Sequence, residues 1–155
     1  MDFLETGGNL LRTFRTKVRV LYADTDMMGI VYHANYLRWF ESARTELLRS
    51  IGIIYANLEM RGYYLPVTES YCHYHSPALY DEVLAVEAYI SRVRRASMRI
   101  NYRITREQSD TIITEGFTVH AFTERNGTIV RIPDDILEII LQNNEEERHG
   151  GQKKR

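Results

Sequence analysis

The sequence has few of the features that mark secreted, membrane-spanning or nucleic-acid-binding proteins. Its 155 residues contain one cysteine, Cys72, which has no partner for an intramolecular disulfide, so a reducing compartment is expected. No stretch approaches the roughly 18 consecutive apolar residues of a membrane span, and the acids near the start are unlike a secretory signal. Lys+Arg at 20 against Asp+Glu at 21 give a net charge of -1, which offers no general attraction to nucleic acid or acidic membranes. We therefore expect a soluble cytoplasmic protein.

The composition is that of one globular domain. The hydrophobic content of 44% and the charged content of 26% are near the globular average, and the length suits a single domain. No repeat or linker interrupts residues 17–142, which we predict to form the domain. Residues 1–16 are predicted to be a partly ordered extension. Residues 143–155 lack apolar side chains and are predicted to be a disordered polar tail.

One long helix is predicted from about Asn35, where apolar residues recur at three- and four-residue steps. A second, shorter helix is predicted around 54–61, with glycine at the end of each helix. Leu37 and Leu48 widen the apolar stripe of the long helix, whose members are Tyr36, Trp39, Phe40, Ala43, Leu47 and Ile51.

The remaining sequence favours antiparallel strands. In 97–106, Met98, Ile100, Tyr102 and Ile104 alternate with polar residues, which indicates a strand with one buried face. Asn126-Gly127 predicts a two-residue hairpin turn, because both central positions of that turn favour positive φ. A short helix is expected after Pro133, and the predicted strands are 17–22, 63–74, 82–92, 97–106, 112–123 and 128–132.

This order predicts an α+β fold with a single antiparallel sheet of about five strands. Because the long helix is apolar on most of its circumference, the sheet is expected to curl around it.

Two aspartates stand just before the predicted long helix, in the run Tyr22-Ala-Asp24-Thr-Asp26. A helix start presents unpaired N–H donors and the positive end of the helix dipole, which stabilise a carboxylate or a reaction oxyanion. An ionised aspartate can act there as nucleophile or base. The alternative is that both aspartates are turn and capping residues.

The run YADTDMMGIVYHANYLRWFESAR resembles the signature of the 4-hydroxybenzoyl-CoA thioesterase family of hotdog-fold proteins, in particular the acyl-CoA thioesterase branch associated with the bacterial Tol-Pal system. The resemblance implies a curled sheet around one long helix, subunits that pair sheet to sheet, and active sites at the dimer interface. It implies no metal or other cofactor.

By this resemblance Asp26 is the catalytic carboxylate, acting as nucleophile on the thioester carbonyl or as base for water. The backbone N–H of His33 would hold the carbonyl oxygen, and its imidazole would assist as acid or base. Tyr22 matches a tyrosine linked to activity in the branch, and Asp24 matches a residue that holds the loop.

Substrate contacts are also implied by the resemblance, at Gly29, Val31 and Tyr32 of the motif. Met27-Met28 departs from the small or proline residues common in relatives, and this leaves the shape of the acyl pocket open.

A CoA phosphate site is implied at Arg94 and Arg95, which match a basic stretch of the hydroxybenzoyl enzyme. A third basic residue of that stretch is Ala96 here, and a solvated hairpin rim is the alternative.

We expect an acyl-CoA thioesterase that works as a homo-oligomer, a dimer or a tetramer, and that meets its substrate as a CoA thioester or on an acyl carrier protein. The alternative function is a non-catalytic acyl, CoA or acyl-carrier-protein binding module of the cell envelope.

Two further features have non-catalytic interpretations. The Cys72-His73-Tyr74-His75 run predicts no metal site, because alternation on a strand points Cys72 away from both histidines. Glu41 on the long helix is expected to pair with Arg44 or Thr45 rather than to replace Asp26.

Overall fold

The structure, a computed structural model, describes the backbone of residues 4–5 and 13–150 and the side chains of 13–143. Its helices are α1 (Asn35–Ser50), α2 (Tyr55–Met60) and α3 (Asp134–Gly150), with one 3-10 helix (Tyr22–Asp24). Its strands are β1 (Leu4–Glu5), β2 (Phe14–Arg19), β3 (Val67–Tyr74), β4 (Val83–Val93), β5 (Ser97–Arg106) and β6 (Ile112–Ala121).

All strands belong to one antiparallel sheet, in the order β1-β4-β5-β6-β3. Strands β1 and β2 pair with different parts of β4. The sheet thus consists of five longer strands and the two-residue strand β1. Strand β3 pairs with β6 on one side and is a sheet edge on the other. The predicted α+β fold, with one curled sheet and a long helix, is confirmed.

Helix α1 packs against the sheet through the apolar stripe that its sequence predicts, and all six residues of that stripe are buried. The Phe40 ring stacks on the Tyr102 ring of β5 at a centroid distance of 4.3 Å. Gly116 of β6 lies under this pair, where a Cβ would come within 2.8 Å of the Phe40 ring. Leu48 is buried as predicted, but the prediction for Leu37 is wrong, because Leu37 is exposed on the first turn of α1.

Strand β5 alternates as its sequence predicts, with the four apolar residues buried. Its other face carries Arg103, which pairs with Glu115 of β6 at 3.0 Å. Arg15 of β2 pairs in the same way with Glu87 of β4 at 2.8 Å. The outer face of the sheet is therefore charged.

The segment after β6 differs from the prediction. Residues 128–132 form no regular strand, and Ile129 makes a single bridge to Thr123. Gly127 has a φ of 87°, whereas Asn126 does not have positive φ, so the two-residue turn that needs both is absent. The Glu124 N–H donates to the Thr128 carbonyl at 2.9 Å and closes a longer loop instead.

The ends of the fold also differ from the predicted boundaries. Strand β2 begins at Phe14, and α3 runs to Gly150, into the segment predicted to be a disordered tail. Buried Ile136 and Ile140 anchor α3 in the core, and the glutamates that follow are good helix formers. Residues 1–3, 6–12 and 151–155 lie outside the described residues, so the predictions for them stay predictions. None of the helices in the described part combines the length and apolar composition that a bilayer crossing requires.

Candidate active site

The segment between β2 and α1 is fixed to the rest of the fold by backbone hydrogen bonds. Val31 N–H donates to the Ala78 carbonyl at 2.9 Å, and Ile30 bridges Leu79. Tyr32 N–H donates to the Asp24 carbonyl, also at 2.9 Å. The motif residues consequently occupy a defined loop at the start of α1.

Asp24 holds this loop together. Its side chain is only 5% exposed, and its carboxylate accepts the Leu21 N–H at 2.8 Å and pairs with the Arg38 guanidinium. Its backbone carbonyl accepts the Asn35 side-chain amide at 2.8 Å. These contacts explain the loop-holding role that the resemblance implied for Asp24.

Asp26 lies in a tight turn two residues further on. Its Oδ1 accepts the Met28 N–H at 2.8 Å, and its carbonyl accepts the Gly29 N–H at 2.9 Å. Gly29 closes this turn with a φ of 78°, a conformation that glycine adopts without steric cost. No ion pair of Asp26 and no hydrogen bond to its Oδ2 occurs among the described residues, so one carboxylate oxygen has no partner there.

The start of α1 presents unpaired donors. Within residues 13–143, the backbone N–H groups of His33 and Ala34 have no hydrogen-bond acceptor. Ala34 is the N-cap and supplies no capping side chain, and the first turn contains no acidic residue. Such a helix start can accept an anionic oxygen.

A cavity of about 370 Å³ lies beside this helix start, lined by Ile30, Val31, His33, Tyr36, Tyr74, His75, Ser76 and Pro77. Of the predicted site residues, the structure places Val31 and His33 on this cavity. Burial raises the pKa of Tyr36 on its wall. Burial and the neighbouring Cys72 raise the pKa of Tyr74 to about 12.

The other predicted site residues do not line this cavity in the single chain. Tyr22 is 79% exposed, and its ring packs edge-on against Tyr80 at 5.8 Å. Tyr32 is exposed beside the His33 ring at 4.6 Å. Asp26 and Gly29 lie in the neighbouring turn, whose tip exposes Met27 and Met28.

The predicted arginine pair is divided by the structure. Arg94 lines a pocket of about 100 Å³ with Arg92 and Arg99, and Arg95 is not part of that lining. The Arg99 guanidinium lies 3.7 Å from the Phe117 ring centroid, and its Nε donates to Asn101. Arg99 is therefore the neighbour of Arg94 that spacing along the chain does not reveal.

The remaining candidate residues have structural partners. No group of three metal-ligating side chains occurs among the described residues. The His73 and His75 rings lie side by side as alternation predicts, with centroids 4.4 Å apart and planes inclined by 52°, and His75 contacts Glu115 at 3.1 Å. The expected pairing of Glu41 with Arg44 is not observed, because the buried Arg44 donates to two tyrosine hydroxyls, those of Tyr55 and Tyr102, each at 3.2 Å.

Sequence reasoning did not assign Tyr36 and Tyr74 to the site. Their sequence patterns indicate packing rather than a site, since Tyr36 belongs to the apolar stripe of α1 and Tyr74 to an aromatic-rich strand. Both rings nevertheless face the cavity, at a centroid distance of 5.6 Å from each other.

A curled antiparallel sheet with one long helix, and an acidic loop at the start of that helix, define the class of hotdog-fold thioesterases. Residues 20–140 match the Thioesterase-like superfamily, and the chain belongs to this family. The resemblance seen in the motif, and the prediction of a thioester hydrolase, are confirmed at this level.

Similar proteins come from several bacteria. The Aquifex aeolicus protein named "Putative esterase" is 36% identical over 122 residues, 79% of this chain and 93% of that protein. The acyl-CoA thioester hydrolase YbgC of Escherichia coli O6:H1 is 35% identical over 102 residues, 66% of this chain and 75% of that protein. The structure of the DHNA-CoA thioesterase of Staphylococcus aureus superposes with a TM-score of 0.81 at 27% identity, covering 89% of this chain and 95% of that one.

Proposed function

We propose that the protein hydrolyses an acyl-CoA thioester to a free carboxylic acid and CoA. The observation that carries the proposal is the juxtaposition of Asp26, with one carboxylate oxygen unpaired, and a helix start with unpaired N–H groups at His33 and Ala34. The names of relatives such as YbgC support the CoA thioester as the substrate class.

In the proposed reaction, the N–H groups at the helix start bind the thioester carbonyl oxygen and stabilise the negative charge that develops on it. Asp26 then acts by one of two routes. As nucleophile it forms an acyl anhydride with release of the CoA thiolate, and water hydrolyses the anhydride. As general base it takes a proton from the water that attacks the carbonyl carbon. Each route consumes one water and breaks the C–S bond.

The remaining motif residues surround this reaction. We assign the imidazole of His33 to proton transfer and Tyr22 to support of the loop around Asp26. Gly29, Val31 and Tyr32 contact the substrate along the turn. The cavity wall at Val31 and His33 supports this placement.

For the nucleotide end of CoA we propose the arginine cluster at the β4–β5 hairpin. Arg94, Arg92 and Arg99 surround one small pocket, and guanidinium groups bind phosphate oxygens well. Arg95 adds positive charge next to this pocket. Arg94→Gln is expected to raise KM for CoA thioesters more than Arg95→Gln, with kcat unchanged in both.

We further propose a homodimer or tetramer with the active site at the subunit interface. Strand β3 supports this, because it is an open sheet edge with exposed apolar residues, Val67 and Tyr71 among them. A second subunit at this edge would close the site beside Asp26. Such an enzyme would work in the cytoplasm, and an acyl carrier protein is an alternative carrier of the acyl group.

The decisive experiment replaces Asp26. Asp26→Asn keeps the size of the side chain and removes its negative charge, so kcat is expected to fall by at least about two decades with an unchanged fold. Hydrolysis of a panel of CoA thioesters, followed with a thiol reagent, measures this. Asp110→Asn, in the turn between β5 and β6 and outside the cavity lining, is the matched control. Near-normal turnover of Asp26→Asn contradicts the assignment, and thioester binding without hydrolysis by the unaltered protein favours the binding module.

His33→Ala in the same series separates the two roles of His33. A large fall in kcat assigns proton transfer to the imidazole, and full activity limits His33 to its backbone N–H.

A further inference from the structure

Tyr74 links the edge strand of the sheet to the start of α1. Its hydroxyl donates to the His33 carbonyl at 3.3 Å, although the two residues are 41 positions apart in the chain. The ring lies edge-on to the His33 imidazole at 6.1 Å and lines the cavity. Tyr74 thus contacts the loop at the peptide that joins His33 to Ala34.

The hydrogen bond from Tyr74 to the His33 carbonyl also affects the Ala34 N–H, because both groups belong to one peptide. A trans peptide is planar, and its C=O and N–H point in opposite directions. A hydrogen bond that fixes the His33 carbonyl therefore also fixes the direction of the Ala34 N–H. This N–H has no acceptor within residues 13–143.

Tyr74 can donate its proton to the His33 carbonyl because both the Tyr74 hydroxyl and the neighbouring Cys72 thiol stay protonated. A phenol has one proton to donate, and the Cys72 thiol lies beside it as a competing partner. Burial raises the pKa of the Cys72 thiol, which disfavours the thiolate that would compete most strongly for the proton. The pKa of Tyr74 itself is raised to about 12, so the hydroxyl stays protonated at neutral pH.

We propose that Tyr74 is a positioning residue that aims the Ala34 N–H at the thioester carbonyl oxygen. This inference rests on the proposed hydrolase function and adds to it a residue outside the motif. Oxyanion stabilisation depends on donors that are oriented before the reaction, so a rotated peptide slows turnover without weakening ground-state binding.

Tyr74→Phe tests the proposal, because it removes only the hydroxyl. We expect kcat to fall about ten- to hundredfold, with KM within about twofold of the unaltered protein. The matched control is Tyr63→Phe, which lies outside the edge strand and the cavity and whose ring faces the Arg61 guanidinium at 5.5 Å. The control is expected to keep kcat.

Three kinetic results would overturn the proposal: an unchanged kcat, a rise in KM alone, or a kcat ratio between Tyr74→Phe and the unaltered protein that changes from pH 7 to pH 9. The second assigns Tyr74 to direct substrate binding. The third assigns it to proton transfer, since a neutral donor gives a constant ratio in that range.

A measurement without substrate separates this inference from the proposed function. The carbonyl ¹³C resonance of His33 is expected to move upfield in Tyr74→Phe, since its hydrogen bond is lost, and to stay unchanged in Tyr63→Phe. An unchanged resonance in Tyr74→Phe refutes the positioning role even if no thioester is hydrolysed. A shifted resonance with normal kcat refutes the positioning role as well. The role of Asp26 is tested separately by Asp26→Asn.

Discussion

Two aspartates separated by one residue, Asp24 and Asp26, have different surroundings in the fold. Asp24 is buried, and both carboxylate oxygens have partners, at Leu21 and Arg38. Asp26 is only half buried and uses one oxygen to close its own turn. A carboxylate with all its acceptors occupied stabilises the loop, whereas one with an unpaired oxygen is available to a substrate. Burial and hydrogen bonding are thus the physical basis of the roles proposed for the two aspartates.

Asp24→Ala is expected to destabilise the protein by about 1–3 kcal/mol, because it leaves the Leu21 N–H and the Arg38 guanidinium without their acceptor. Urea unfolding measures the change. Glu46→Ala, which removes an exposed ion pair to Arg49, serves as the control and is expected to cost less than about 0.5 kcal/mol. A similar cost for both variants would contradict the structural role of Asp24.

At the scale of elements, the position of α1 depends on β6. The Phe40 ring of α1 packs over Gly116, which leaves room for the Phe40–Tyr102 stack. The same packing sets how closely α1 approaches the sheet, and the start of α1 carries the proposed donor groups. A residue in the middle of a strand therefore influences the loop that carries Asp26 through helix packing.

Gly116→Ala is expected to destabilise the fold by about 3 kcal/mol or more, because its Cβ would approach the Tyr71 carbonyl oxygen to 2.2 Å and the Phe40 ring to 2.8 Å. Denaturant unfolding measures the cost. Gly127→Ala is the comparison, since a Cβ there meets nothing within 4 Å and only the φ of 87° is unfavourable, at about 1 kcal/mol. An equal cost for both variants would exclude close packing as the reason for glycine at 116.

At the scale of the whole molecule, a chain of buried polar groups crosses the core. His120 is fully buried and contacts the Leu65 carbonyl at 3.1 Å and the Thr118 hydroxyl at 2.8 Å. Thr118 contacts the Tyr102 hydroxyl at 2.6 Å, and Arg44 donates to that hydroxyl. Burial, with the nearby Arg44 charge, lowers the pKa of His120 to about 4. Protonation of this histidine therefore opposes the folded state.

This predicts a loss of stability in acid. The His120 pKa is about 4 in the folded protein and about 6.5 when unfolded, so the unfolded state takes up the proton first as pH falls. Stability should decline from about pH 6.5 towards pH 4, by up to about 3 kcal/mol, and no loss from this group is expected above pH 7. In His120→Gln, the free energy of unfolding should depend less on pH between about pH 6.5 and pH 5. In His73→Gln, which changes an exposed histidine, the pH dependence of the unaltered protein should remain. The measurement is the free energy of unfolding at each pH. An unchanged pH dependence in His120→Gln would contradict the role of His120.

The assembly is a second property of the whole molecule. Light scattering at micromolar concentration is expected to give at least twice the protomer mass of 18.2 kDa. Activity per protomer should fall on dilution together with the mass, since the proposed site is completed by a second subunit. A fully active monomer would contradict the interfacial site.

The sequence alone determined the class of fold, the apolar face of α1, the alternation of β5 and the motif around Asp26. These features are local, because each follows from side-chain period or from contiguous residues. The tertiary structure decided which residues meet across the chain: Tyr74 with the His33 carbonyl, Arg94 with Arg99, and Arg44 with tyrosine hydroxyls rather than Glu41. Strand register and helix packing bring these residues together, and no local pattern encodes the distance between segments that are remote in sequence.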